Sequence, residues 1–365
     1  MRLKPKPSCT TREMTIRRPD DWHLHLRDGK YLRAVLRHTA RQVARAIVMP
    51  NLTPPVVNAK MALEYRDLIL SALPKSGPES NFDPLMTIYL TDQTTPQDIV
   101  EAKQSGVVLA AKLYPANATT NSAKGVTNIK ALAPVFQKMA EVGLVLSVHG
   151  ETLVSKRYGD KGRGRKVGQL RREAVFLKEE LSWIVSEIPN LKIVLEHITT
   201  KEAVEFVLAA NDNVAATITA HHLFIVLDDV LASHHNKCAP VAKEEQHRQA
   251  LRKAATSGNP KFFMGTDSAP HSKSTKETAC GCAGCYTALH AVELYFTVFE
   301  EEGALDKIEG FLSNFGADFY GLSRNEDTIT VQRKNWQVPM ELPYGDGESL
   351  VPFKAGEMLD WKLAD

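Results

Sequence analysis

Eight short apolar runs, separated for the most part by stretches with helical signatures, restrict what this 365-residue chain can fold into. They cover residues 16–26, 46–49, 85–90, 107–114, 144–148, 193–195, 214–219 and 262–265. Helix-like segments lie between them at 59–73, 96–104, 129–142, 173–188, 201–210 and 244–256, and another, 288–302, follows the last run. Asn58 stands where an N-cap belongs and Pro96 opens a segment, while Gly106 and Gly143 stand just past the ends of two others. That asymmetry is expected of helix termini. Strands alternating with helices predict parallel βαβ units. Eight units predict an α/β fold, a closed (β/α)8 barrel of the TIM type, which needs roughly 250 residues. The rest is assigned to a flexible N-terminal arm (1–14), enlarged βα loops within the barrel (15–326) and a short C-terminal extension packed on it (327–365). No linker-like stretch divides the chain into two large domains.

With 43% hydrophobic residues the chain can build a large core, and its formal net charge of +2 selects neither nucleic acid nor membrane as a partner. No apolar run approaches the roughly 20 residues that span a bilayer. Residues 1–12 are basic and lack the apolar centre of a signal peptide. Five cysteines, an odd number in a long chain, do not read as a disulfide framework. A reducing, cytoplasmic setting is expected, with organelle import through the N-terminal arm as the alternative.

What ends the runs suggests chemistry. His23 and His25 close the first. Side chains two apart in a strand share a face, so both imidazoles are expected on one side, with Trp22, Leu24 and Leu26 on the other. Two convergent neutral imidazoles form half of a metal site. Asn51, Lys112, His149, His197 and Asp267 also fall at run ends, where a barrel of this type carries its catalytic groups. A single histidine is more often a hydrogen-bonded core or surface residue; it is the joint placement that points to a site. His221 and His222 are left out, because adjacent strand residues face opposite ways.

Lys112 is the oddest of these residues, since desolvation and nearby cations disfavour an ammonium inside a barrel mouth. One reading is a lysine that snorkels to solvent or pairs with a carboxylate. The sharper one is a neutral amine that has reacted with carbon dioxide, giving a carbamate able to bridge two cations roughly 3.5–4 Å apart. Asp267 reads either as a helix cap or as a ligand and proton shuttle. Arg27 suits planar recognition of a carboxylate. The cluster Cys280, Cys282 and Cys285 reads as a tight glycine-bearing turn with structural thiols, because four closed zinc ligands are not evident. The basic, glycine-rich stretch 156–166 is no Walker loop and reads as solvated. The small polar stretch 115–128 above Lys112 reads as a lid carrying Thr119 and Thr120.

These motifs resemble the short, monofunctional class of dihydroorotases within the amidohydrolase superfamily. The likeness runs in order through residues 17–29, 46–52, 111–116, 119–122, 148–151, 196–200, 265–271, 280–285 and 351–357. Residues 219–224 and 240–243 look more like its fungal branch. The resemblance implies two Zn2+ ions per subunit, with His23, His25 and Asp267 on the first and His149 and His197 on the second. Carboxylated Lys112 (N6-carboxylysine) would bridge them. Asp267 would also be the catalytic acid and base. Arg27, Asn51 and His271 would grip the substrate carboxylate, backbone groups at Ala239 and Ala283 would meet the ring, and Thr119 and Thr120 would close over it. The implied activity is reversible cyclisation of N-carbamoyl-L-aspartate to L-dihydroorotate, the third step of pyrimidine synthesis, by a homodimer. Alternatives are a hydantoinase- or allantoinase-type cyclic amidohydrolase and a non-catalytic scaffold.

Overall fold

The computed structural model describes residues 12–155, 164–279 and 281–364. Strand β1 (Glu13–Arg17) lies outside the barrel. The barrel begins with β2 (Asp20–Leu24), β3 (Arg45–Val48), β4 (Asp83–Tyr89), β5 (Val108–Leu113) and β6 (Val145–His149). A small ladder, β7 (Val154–Ser155) with β8 (Arg165–Lys166), precedes β9 (Ile193–Glu196), β10 (Val214–Ile218) and β11 (Phe262–Met264). The eight-stranded sheet runs in the order β2-β3-β4-β5-β6-β9-β10-β11, with every pair parallel. It closes through a parallel bridge between Leu24 and Ser268, flanked by bonds from His25 N–H to Ser268 O (3.2 Å) and Asp267 N–H to His23 O (2.9 Å). The Asp21 carboxylate pins this seam, accepting from His23 N, Thr266 N and Thr266 Oγ1 at 3.1, 2.8 and 2.6 Å. The fold is the expected (β/α)8 barrel.

Inside it, the strand period of two separates an apolar floor from a polar mouth. Ile47, Leu85, Ala110, Val145, Val194, Ala215 and Phe263 form one buried layer. Two residues further along, the same strands present Thr87, Lys112, Ser147, Glu196 and Thr217, all buried. Gly265 fits because it abuts Thr217: a Cβ there would come within 2.7 Å of that side chain. The helix Phe315–Tyr320 plugs the floor. Tyr320 stacks on Trp22 at 4.6 Å, and a Cβ on Gly316 would meet the Trp22 indole at 1.9 Å.

Four expectations need correction. Trp22 does not share the outer face with Leu24 and Leu26. A register shift between Asp21 and Leu24 turns it inward, against Phe263. The first run is two strands rather than one. Glu13 and Met14, assigned to the arm, belong to β1, which pairs antiparallel with β12 (Thr328–Gln337). The segment 173–188 is not one regular helix, because a π-helical stretch, Leu177–Leu181, interrupts it.

After the small ladder β13 (Leu342–Pro343) with β14 (Ser349–Leu350), β15 (Met358–Leu363) completes a three-stranded sheet with β1 and β12. It packs on the helix Ala291–Glu301 through Trp361, whose ring lies 5.2 Å from that of Phe296. Cys9, Cys280 and residues 156–163 of the basic stretch lie outside the described residues.

Candidate active site

The carboxyl ends of the barrel strands surround a small cavity. His23, His25, Arg27, Asn51, Thr119, Thr120, His149, His197, Ala239, Asp267 and Ala283 all line it. Lys112 lies below, fully buried, and His271 stands behind Arg27.

His23 Nε2 and His25 Nε2 are 3.4 Å apart and lie 3.2 and 3.1 Å from one oxygen, Asp267 Oδ1. These three atoms converge on one point, as ligands of a single ion would. The His197 ring centroid is 5.0 Å from that of His23 and 4.8 Å from that of His149. Ligand atoms of His23, His197 and Asp267 lie within 4.8 Å of one another.

Partners fix which nitrogen each ring turns inward. His25 Nδ1 meets Asn51 Oδ1 at 2.9 Å, and His149 Nε2 meets Glu151 Oε2 at 2.8 Å. His23 Nδ1 lies 3.2 Å from Glu196 Oε1. Metal-binding imidazoles characteristically have such outer partners. Arg27, His197 and Asp267 hold left-handed backbone conformations, with φ of 63°, 43° and 46°. Non-glycine residues rarely adopt them, and they cluster at functional sites.

Burial, above all, pushes His23 and His197 below the ordinary histidine range and His25 to about 4. The rings are therefore neutral and able to donate lone pairs. Burial alone would raise Asp267, but His23 and His25 outweigh it and hold the carboxyl well below its usual value. Burial likewise drives Lys112 well below the lysine range, toward the neutral amine. Its Nζ lies against Glu196 Oε2 and 4.7 Å from the centre of the Tyr114 ring. His197 Nδ1 and Tyr114 Oη are buried without hydrogen-bond partners, and Lys112 Nζ and the two Glu196 oxygens meet only ion-pair contacts that lack hydrogen-bond geometry. Such a concentration of unsatisfied polar atoms is costly unless something else engages them. Imidazoles, a carboxylate and a buried amine are a donor set that fits divalent cations.

The remaining predicted residues form the rim. Arg27 donates through Nε to Pro270 O (3.1 Å), and its Nη2 lies 3.1 Å from His271 Nε2. Burial first, then Arg27, keeps His271 neutral. Asn51 Nδ2 donates to Thr120 O at 3.2 Å, so the Thr119–Thr120 loop sits down on the site. Cys238, Cys282 and Cys285 are free thiols. A second group, His221, His222 and Cys238, is also close-set, but Thr219 Oγ1 and Pro240 O engage both ring nitrogens of His222.

Sequence reasoning did not single out Glu196, Glu151 or Tyr114. The available signal was that both carboxylates sit one or two residues from a ligand histidine.

The amidohydrolase family profile matches residues 20–352. A dihydroorotase of Teredinibacter turnerae is 55% identical over 97% of this chain and 99% of its own length. The crystal structure of dihydroorotase in complex with 5-fluoroorotic acid from Saccharomyces cerevisiae superposes with a TM-score of 0.88 at 37% identity, covering 97% and 99% of the two chains. A dihydroorotase structure from Campylobacter jejuni gives 0.85 at 34%, covering 97% and 98%. Among the described residues no helix is long and apolar enough to cross a membrane.

Proposed function

We propose, from the premise that this chain belongs to the amidohydrolase family, that it is a dihydroorotase. It interconverts N-carbamoyl-L-aspartate with L-dihydroorotate plus water, a step of pyrimidine synthesis. The carrying observation is the convergence of His23, His25 and Asp267 on one point, with His149, His197 and a buried Lys112 around it. On this reading His23, His25 and Asp267 would hold one zinc ion, His149 and His197 would hold a second, and carboxylated Lys112 would be a ligand available to both. The ions supply acidified water and an electron-poor carbonyl. A carbamate beside Glu196 would put two negative charges in one buried spot, and the cations offset them.

The protein's own groups do the rest. Asp267 accepts the proton of the attacking water and delivers it to the departing ring nitrogen, then reverses these roles in cyclisation. Arg27, assisted by Asn51 and His271, binds the substrate carboxylate and so aligns the scissile amide. The backbone at Ala239 and Ala283 meets the ring, and Thr119 and Thr120 shut out water.

One observation favours a second reading of Lys112. Its contact with Glu196 would also suit an unmodified ion pair. The hydantoinase alternative lacks support against relatives that are 55% identical and dihydroorotases.

Purified protein supplied with zinc and bicarbonate interconverts the two acids. Arg27→Met raises KM about tenfold or more, with kcat less affected, because it removes a charge-assisted grip. An unchanged KM overturns the carboxylate assignment, and inert wild-type protein overturns the activity.

A further inference from the structure

Lys276 ends the short helix Lys273–Lys276 and is 3% exposed. Its ammonium donates to three backbone carbonyls: Lys237 O at 3.0 Å, Cys282 O at 3.0 Å and Gly284 O at 2.7 Å. An ammonium has three donors and no acceptor, so this one is fully satisfied within the protein. Its partners come from two different βα loops. Lys237 lies in the loop after β10, whereas Cys282 and Gly284 lie in the loop after β11. Gly284 N–H also donates to Lys237 O at 2.8 Å, so the two loops meet at the point the ammonium grips.

These are the segments that line the cavity through Ala239 and Ala283. Ala283 lies between two carbonyls that Lys276 holds, and Ala239 lies two residues beyond the third. A backbone hydrogen-bonding group reads a ring amide only if its direction is fixed in advance. Local stiffness does not fix it, since Gly281 and Gly284 have φ of 56° and 148°, which only glycine adopts freely, and cross-links set the direction: Lys276, with smaller help from Cys282 N–H to Thr275 O and Lys237 Nζ to Gly281 O. We propose that Lys276 is a positioning residue for substrate, a clamp joining two loops so that the Ala239 and Ala283 backbone presents a preset edge to the substrate ring. The inference rests on the dihydroorotase reading and deepens it. Lys276 touches neither the ring nor the ligand histidines and acts through the loops.

The test uses zinc-loaded enzyme and Lys276→Met, which keeps the length of the side chain and removes its donors. KM for L-dihydroorotate rises about tenfold, the scale of one lost charged hydrogen bond. Meanwhile kcat stays within about threefold and bound zinc is unchanged. An unchanged KM, or a loss confined to kcat or to zinc content, overturns the proposal. Should Lys276→Met fail to fold, Lys276→Gln retains a shorter donor and gives a smaller rise in KM, judged by the same criteria. Wild-type enzyme inert toward both acids would instead sink the dihydroorotase reading itself.

Discussion

The floor and the mouth of the barrel are built by the same strands, two residues apart, and they differ in what they contribute. Ala110, Val145, Val194 and Phe263 pack against one another and against Trp22 and the plug helix. Lys112, Ser147 and Glu196 are just as inaccessible, yet their polar atoms lack hydrogen bonds of good geometry. Burial of apolar surface stabilises at about 25 cal/mol per Å², whereas an unpartnered buried polar atom costs about 1–3 kcal/mol. The floor holds the fold, and the mouth draws on that stability to keep Lys112, neutral imidazoles and an ionised carboxylate together.

Three substitutions test that division. The largest effect is expected from Lys112→Ala, which should lower turnover about a thousandfold or more by removing the group proposed to join two cations. Its urea midpoint should shift far less than that of a floor variant. A midpoint collapse with zinc still bound would instead identify Lys112 and Glu196 as a structural ion pair. Next is Trp22→Ala, which empties the floor beside Tyr320 and Phe263. It should cost about 3–5 kcal/mol in equilibrium unfolding while the folded fraction keeps its specific activity. A variant as stable as wild type would show that the plug helix, not the indole, carries the floor. The smallest effect belongs to Glu151→Gln, which weakens the outer partner of His149. Zinc affinity should drop about tenfold in competition with a chromophoric chelator, and activity at saturating zinc should stay near wild type. Unchanged affinity would detach Glu151 from the metal site.

Much of this division was legible in the sequence. His23 and His25 stand out through a period-two spacing that survives folding, and Lys112 because a cation interrupts an apolar run. Trp22 escapes the period-two pattern because a register shift at Asp21–Leu24 breaks the alternation. Strand β1 is not legible locally because its partner, β12, lies more than 300 residues away, as in the pairing of Glu13 with Gln332. No local pattern encodes such a pairing. Glu196, Glu151 and Lys276 do not stand out in the sequence, because charged residues at element ends ordinarily face water. Only the closed barrel turns the carboxylates inward, and only the meeting of two loops gives Lys276 its three carbonyls.

The left-handed backbone at Arg27, His197 and Asp267 sets durability against chemistry. At each position glycine would relax the main chain, so a laboratory evolution campaign selecting for heat tolerance alone would be drawn toward replacing the very side chains that make the molecule an enzyme. Screens for robust variants of this scaffold therefore need a catalytic readout in every round.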